Sequence, residues 1–451
     1  RGRAASPRRM TAVMELPGDS SFQVVEDVDV ASSIAGESTC ATDSVAPSSN
    51  ACATGGYRVY VRVRPLMQSE ISEGAAVEVP EGGTRLCIAP KRRVATEMEF
   101  DRVLGPKASQ LEVFDAMSDA VAGVLQGRSA TIIAYGQTGS GKTHMIAGPI
   151  DTAGGPSDEP RPDLLGEDRG LIPRALEAVF SPAGATGPVG DGDDVHAQSA
   201  PCLGRRVRVS FMEIYNEQVF DLLTDTSSRK GLELREGIGG SVSVLGLLSL
   251  EVQSYEEAID LLERGMSSRS WGDNGVNAAS SRSHALFQVS VESRTDCAGD
   301  AEGLGQCAKL TFVDLAGSEK VQPYGNILQE TAHINLSLSA LGNCIAAMLD
   351  TRRKHVPYRN SKLTRMLQES LQNPLSTTVM CVCLSPAQWA VSETLNTLQF
   401  ADRAKRVKLH YQPPPSSAGA LALRRVQELE AQVDSLNAEL RAERQLRLRL
   451  Q

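Results

Sequence analysis

No stretch of this 451-residue chain approaches the roughly 18 apolar residues that a membrane-crossing helix needs, so membrane insertion is not expected. An excess of positive charge is missing too. Against 46 Lys+Arg stand 55 Asp+Glu, for a net charge of −9 and a pI near 5.4. That balance argues against a chain coated for general binding to nucleic acid or acidic membranes. The nine cysteines are odd in number and lack metal-ligand spacing, which points to a reducing compartment rather than a disulfide framework. The close pair Cys381 and Cys383 lies in a strand-like apolar run and reads as buried strand thiols, not a metal site. No apolar signal core follows the basic start Arg1–Arg9. A chain that opens on Arg1, with Met10 and Met14 close behind, reads as a fragment or as carrying residues not translated in the cell; intact mass of the native protein decides this.

What is present is ordinary for a soluble globular protein: 41% apolar and 22% charged residues. Length alone suggests roughly three domains, but composition divides the chain differently. Residues 1–56 are rich in Ala, Ser, Gly and Asp without helix or strand periodicity, and read as a disordered arm. From Tyr57 to about His410, strand-like and helix-like segments alternate, the pattern of a layered α/β domain. Val59, Val61 and Val63 alternate with Tyr60, Arg62 and Arg64, which predicts a half-buried strand. Ser109 to Glu112 forms a capping box opening a helix with Val113, Met117, Val121 and Val124 on one face and Gly127 as its stop. The run Thr131–Tyr135 predicts a central buried strand. Further strands are expected at Val207–Ile214, Ala285–Val291, Leu310–Val313 and Thr378–Leu384. Polar stretches at Gly148–Asp168, Ser181–Gly204 and Ser293–Gly305 read as surface insertions. A proline-stiffened linker occupies 411–420. Within 421–451, Val426, Leu429, Val433, Leu436 and Leu440 trace about two heptads, either the start of a coiled coil or a single amphipathic surface helix.

After the central strand comes Gly136-Gln137-Thr138-Gly139-Ser140-Gly141-Lys142-Thr143, the G-x-x-x-x-G-K-[ST] pattern. Its glycines let backbone N–H groups face a phosphate, Lys142 reaches the β/γ-phosphates, and Thr143 offers a hydroxyl to Mg²⁺. By itself this pattern does not choose among GTPases, helicases, kinases and motors. Two further segments narrow it. Asn277-Ala278-Ala279-Ser280-Ser281-Arg282-Ser283-His284 is polar and precedes a strand, and Asp314-Leu315-Ala316-Gly317-Ser318-Glu319 follows one. An Asp at a strand end followed by a glycine N–H is how phosphate-loop enzymes hold Mg²⁺ and sense the γ-phosphate. A third feature is charge. Arg352, Arg353, Lys354, Arg359, Lys362 and Arg365 lie between Thr351 and Arg365 with no acidic residue among them, either a solvated face or a docking strip.

Together these segments resemble the kinesin motor domain. The resemblance spans Tyr57 to Leu409 and includes Val61-Arg62-Val63-Arg64-Pro65, Phe100–Leu104, the phosphate loop with His144-Met145, Phe211–Glu217, both switch-like loops, Ser337–Asn343, Val356–Arg365 and Glu393–Ala401. It implies an α/β phosphate-loop fold whose central, mostly parallel, twisted sheet carries helices on both faces, with a coiled-coil helix appended. It also implies an ATP hydrolase with cofactors ATP and Mg²⁺. Arg62, Pro65 and His144 would pack against adenine; Thr143 and Ser281 would ligate Mg²⁺, with Asp314 holding a water of its shell. Arg282 and Glu319 would pair across the switches when ATP is bound, with Gly317 N–H sensing the γ-phosphate. The basic strip would dock on acidic tubulin.

The implied whole is a microtubule-stimulated motor of the cytoplasm and cytoskeleton, plus-end directed and homodimeric through the coil, with no role in nucleic-acid binding. The alternatives are a non-motile microtubule-binding scaffold and a track-independent ATPase. Some segments depart from the family pattern. The loop after Glu319-Lys320 is short and lacks the usual Lys and Thr-Gly. Asn274 stands where Thr is usual, and Gln372-Asn373-Pro374 replaces Gly-Gly-Asn. Lys408–Ala420 carries Pro413, Pro414 and Pro415 in place of a β-forming, Asn-containing neck, which leaves its docking as a strand open.

Overall fold

The computed structural model describes residues 54–410, apart from 81–82, 90–93, 152–160, 163, 182–204, 225–229, 238–240, 271–281, 294–305, 320–327 and 354. The unit Arg1–Ala51, much of the three insertions, the proline linker and the heptad segment lie outside the described residues. Among the described residues, nine strands form the central sheet. They are β1 (Arg58–Val63), β2 (Arg102–Leu104), β3 (Ala130–Tyr135), β4 (Arg205–Tyr215), β5 (Gln218–Asp221), β6 (Leu250–Val252), β7 (His284–Ser293), β8 (Gln306–Asp314) and β9 (Thr377–Leu384). Their order is β5-β4-β7-β8-β3-β9-β1-β2, with β6 also paired to β4.

The ladders β8–β3, β3–β9, β9–β1 and β1–β2 are parallel. Those among β5, β4, β6, β7 and β8 are antiparallel. The α/β class is as expected, but the sheet is mixed, and its parallel ladders are confined to one half. Connection length explains the other half in part. β4 turns into β5 through Asn216 and Glu217 at φ 52° and 57°, and a two-residue turn can only join antiparallel neighbours.

Helices cover both faces. α1 (Gln110–Asp115), α2 (Ser118–Leu125), α3 (Lys142–Ile146), α4 (Leu171–Phe180) and α5 (Tyr255–Ser270) bury their apolar residues in one cluster with Ala130, Ile132 and Ala134 of β3. α6 (Leu328–Leu349), α7 (Lys362–Gln372) and α8 (Val391–Lys405) share the opposite cluster with Ile133 and Tyr135. Alternate residues of one strand therefore feed two cores, as the period of two requires. This corrects the half-buried reading of β1: Tyr60 is buried in one cluster while Val59, Val61 and Val63 fill the other. The helix predicted from Ser109 to Gly127 breaks at Met117, whose φ of −119° is not helical. Its capping box forms as expected, with Ser109 N–H donating to Glu112 at 2.7 Å. Val113, Met117, Val121 and Val124 still share one buried face. No helix among the described residues is long and apolar enough to cross a membrane.

Thr54–Gly56, read from sequence as part of the arm, is a short strand pairing antiparallel with Lys408–His410 just after α8. The first residues of the neck thus pair as a strand before the proline run, where their N–H groups are intact.

Candidate functional site

β3 is buried along its whole length and delivers the phosphate loop at its end. Gly136 (φ +150°) passes so close to Cys383 of β9 that a Cβ there would collide with the Cys383 carbonyl. Gly139 and Gly141 take left-handed φ of +76° and +94°, a conformation that costs glycine little. Gly141 then caps α3. The buried Lys142 ammonium donates to the carbonyls of Gly136 and Gln137 at 2.9 and 2.8 Å. Burial pulls its pKa down, opposed by the carboxylates of Asp314 and Glu319. Thr143 Oγ1 donates to Asp314 Oδ2 at 2.7 Å. The loop thereby touches the end of β8.

Asp314 is 4% exposed, and its carboxylate holds a second partner that sequence reasoning missed. Arg269, in the last turn of α5 and 2% exposed, donates to Asp314 Oδ2 at 2.8 Å and to the Ser283 carbonyl at 3.1 Å. It also lies 4.0 Å from Glu213. Nothing in the sequence around Arg269 separates it from Arg264 five residues earlier; only the burial of the helix end does.

Glu319 reaches across to the loop. Its carboxylate accepts from the Thr138 N–H at 2.7 Å and from the Thr138 hydroxyl, over Gly317. Here the phosphate loop takes up the Glu319 carboxylate; the Arg282–Glu319 pair is the arrangement expected with ATP bound. Ser281 lies outside the described residues. Arg62 and His144 come together, and burial, with Arg62 adding, depresses the His144 pKa. Pro65, three residues after Arg62, is exposed.

Several buried polar atoms here have no protein partner: Asp314 Oδ1, Ser140 Oγ, Gln137 Oε1 and Arg62 Nη1. Buried polar groups are ordinarily hydrogen-bonded, so these orphans, with the glycine cradle, fit a bound phosphate ester and its cation.

His284 links the second switch-like loop to α6. Its Nδ1 accepts from Ala316 N–H at 3.0 Å, which leaves the ring proton on Nε2, 2.8 Å from Ser337 Oγ. Burial, with Arg269 adding, lowers its pKa from 6.5 to about 3. A base with a depressed folded pKa holds fewer protons folded than unfolded, so it subtracts stability as pH falls from 6.5 towards 3. His284→Asn should therefore flatten the loss of stability between pH 6.5 and 5 by roughly 1 kcal/mol per pH unit in urea titrations. An unchanged slope would contradict the buried neutral ring.

The basic strip is less bare than its sequence suggests. Arg352 and Arg353 pair with Asp350 at 3.3 and 3.5 Å. Arg359 and Arg365 share Glu236, from the hairpin Leu234–Glu236/Val242–Val244, at 2.6 and 3.1 Å. Lys362 opens α7, where its N–H donates to Glu217. Lys354 lies outside the described residues.

Comparison with known proteins gives a consistent picture. The kinesin motor domain family matches residues 62–407. The kinesin-like protein KIN-14R of Arabidopsis thaliana is 36% identical over 86% of this chain, and the human chromosome-associated kinesin KIF4A is 37% identical over 78%. The chain spans only 33% and 26% of those proteins' lengths. A solved structure described as a fast kinesin, with implications for ATPase mechanism and interactions with microtubules, superposes with a TM-score of 0.66 at 34% identity. That match covers 79% of this chain and 93% of the other. With the family model matched over residues 62–407, most of its length, the chain belongs to the kinesin motor domain family.

Proposed function

We propose that this chain is the motor end of a microtubule-stimulated ATPase that moves along microtubules, probes its track through the Arg352–Arg365 strip, and works in the cytoskeleton as a homodimer directed to the plus end. The observation that carries the reading is the meeting of Thr143 and Arg269 on Asp314, beside a cradle lined with unpartnered buried polar atoms. Arg62, Pro65 and His144 flank the adenine. Gly136 to Thr143 wrap the phosphates, with Lys142 turning from the loop carbonyls to the β/γ-phosphates. Mg²⁺ would be held by Thr143 and Ser281, with Asp314 acting through water, and would neutralise phosphate charge. Gly317 offers an N–H to the γ-phosphate, and Glu319 leaves Thr138 to meet Arg282, excluding bulk water and positioning the attacking one. Catalysis of this kind works by positioning and fixed charge.

The test is ATP turnover with and without microtubules, followed by gliding on polarity-marked filaments. Turnover that ignores microtubules refutes the track. Binding without turnover favours a non-motile scaffold, the reading that Pro413 to Pro415 in the neck would suit. Gliding reads direction, and mass photometry reads the dimer.

Glu236 should temper the track site, because it neutralises Arg359 and Arg365 where they would face acidic tubulin. Glu236→Gln should tighten microtubule binding about threefold at low salt, an advantage that fades as salt rises. Weaker binding would show that Glu236 orders the arginines rather than masks them.

A further inference from the structure

We propose that Arg64, at the end of β1, is a positioning residue for the phosphate loop, gripping the Gly139–Ser140 peptide from outside the nucleotide cradle. The inference rests on the nucleotide reading above, but it concerns a residue to which that reading gives no role. Arg64 Nε donates to the Gly139 carbonyl at 2.7 Å. Nη1 donates to the Pro65 carbonyl at 2.8 Å and to Glu70 Oε2 at 2.6 Å; Nη2 donates to Glu70 Oε1 at 2.7 Å and to Ser385 Oγ at 2.9 Å. Every N–H of the guanidinium therefore has an acceptor.

The far end of this brace is itself fixed. Glu70 accepts from Met67 N–H at 2.9 Å and from Trp389 Nε1 at 3.2 Å. The Arg64 and Glu70 side chains are only 12% and 6% exposed, and the Arg64 fork draws the Glu70 pKa down from 4.5 to about 2. The chain of contacts thus ties the loop to the segment after β1, to the end of β9 and to the approach to α8.

Gly139 is the place where such a grip matters. It sits at φ +76° with no atom within 4 Å of where a Cβ would stand, so it has no side chain of its own to hold it and nothing packs on that side. Ser140 N–H donates to the Gln137 carbonyl at 3.2 Å. Because a peptide is planar and its C=O and N–H point in opposite directions, the bond from Arg64 and the bond to Gln137 hold one peptide plane at both edges. Lysine cannot replace the fork, since a point charge cannot reach Gly139, Glu70 and Ser385 in fixed directions.

The test uses the full 451-residue chain without nucleotide. In Arg64→Lys, hydrogen exchange in peptides spanning 136–143 should quicken about tenfold, the effect of losing one charge-assisted bond. Exchange in β3 and β8 should stay unchanged. Affinity for MgADP carrying a fluorescent ribose label should fall about tenfold as well, with kcat at saturating ATP little altered. Leu371→Ala, buried on α7 in the other core cluster, serves as a control for general destabilisation. Unchanged loop exchange in Arg64→Lys overturns the proposal, as does an equal quickening in Leu371→Ala. Faster loop exchange in a protein that binds no MgADP at all would uphold the brace and refute the nucleotide reading.

Discussion

Glu319→Ala should cut microtubule-stimulated ATP turnover by about 100- to 1,000-fold, the size of effect that follows removal of one group acting in the transition state, while leaving MgADP affinity within about threefold. The asymmetry comes from where the carboxylate sits. It bonds Thr138 at the exposed rim of the loop, so water can replace it there at little cost, and Lys142 and Thr143 keep their own contacts. What alanine cannot supply is the charge that would pair with Arg282 when the switches close. Glu319→Gln keeps the shape and loses that charge, and should fall nearly as far. Steady-state turnover beside equilibrium binding of labelled MgADP separates the two effects. Normal stimulated turnover in either variant would remove Glu319 from the mechanism.

Arg269→Ala should destabilise the fold by about 3–5 kcal/mol, because it strands buried carboxylates without their cation. Asp314 would keep the Thr143 hydroxyl and the electrostatic influence of Lys142 but lose its direct cation partner, and Glu213 would lose the nearby charge at 4.0 Å. The urea midpoint at pH 7 measures the loss. Adding Asp314→Asn should recover part of it, since the uncompensated charge goes with the carboxylate, and that coupling distinguishes a broken ion pair from poor packing. A loss below about 1 kcal/mol, or no recovery in the double variant, would show that Arg269 is a bystander to Asp314.

The two variants probe what was and was not legible in the sequence. Thr143, Asp314 and the glycines of the loop could be named because each obeys a local rule: a left-handed φ, a strand end, a hydroxyl one residue after the lysine. The capping box at Ser109 and the buried run of β3 were legible for the same reason. Arg269 obeys no local rule. Its role comes from burial at the end of α5 against β8, a contact between segments far apart in the chain. Glu236 escaped for a similar reason, since the strip from Thr351 to Arg365 holds no acid in sequence while the hairpin at Leu234–Glu236 carries one to it in space. The direction of the ladders was only half readable, because hydrophobic periodicity reports which residues are buried and not which neighbour a strand will choose. The break at Met117 hid behind a face that stays continuous across it.

The place of β3 in the sheet has a consequence for how the protein is made. Its neighbours β8 and β9 both come from beyond residue 305, and Gly136 takes its path against Cys383. A ribosome finishes the phosphate motif long before it makes either wall of the slot that shapes it. Until β9 emerges, β1 lacks its main partner too, and β3 lacks a strand partner and the last of the helices that cover Ile133 and Tyr135. Long-range pairing of this kind is slow to close and exposes sticky surface meanwhile. An N-terminal fragment that stops short of Leu384 would hold every letter of the motif without the walls that shape it, and the growing chain would need shelter until β8 and β9 have both been made.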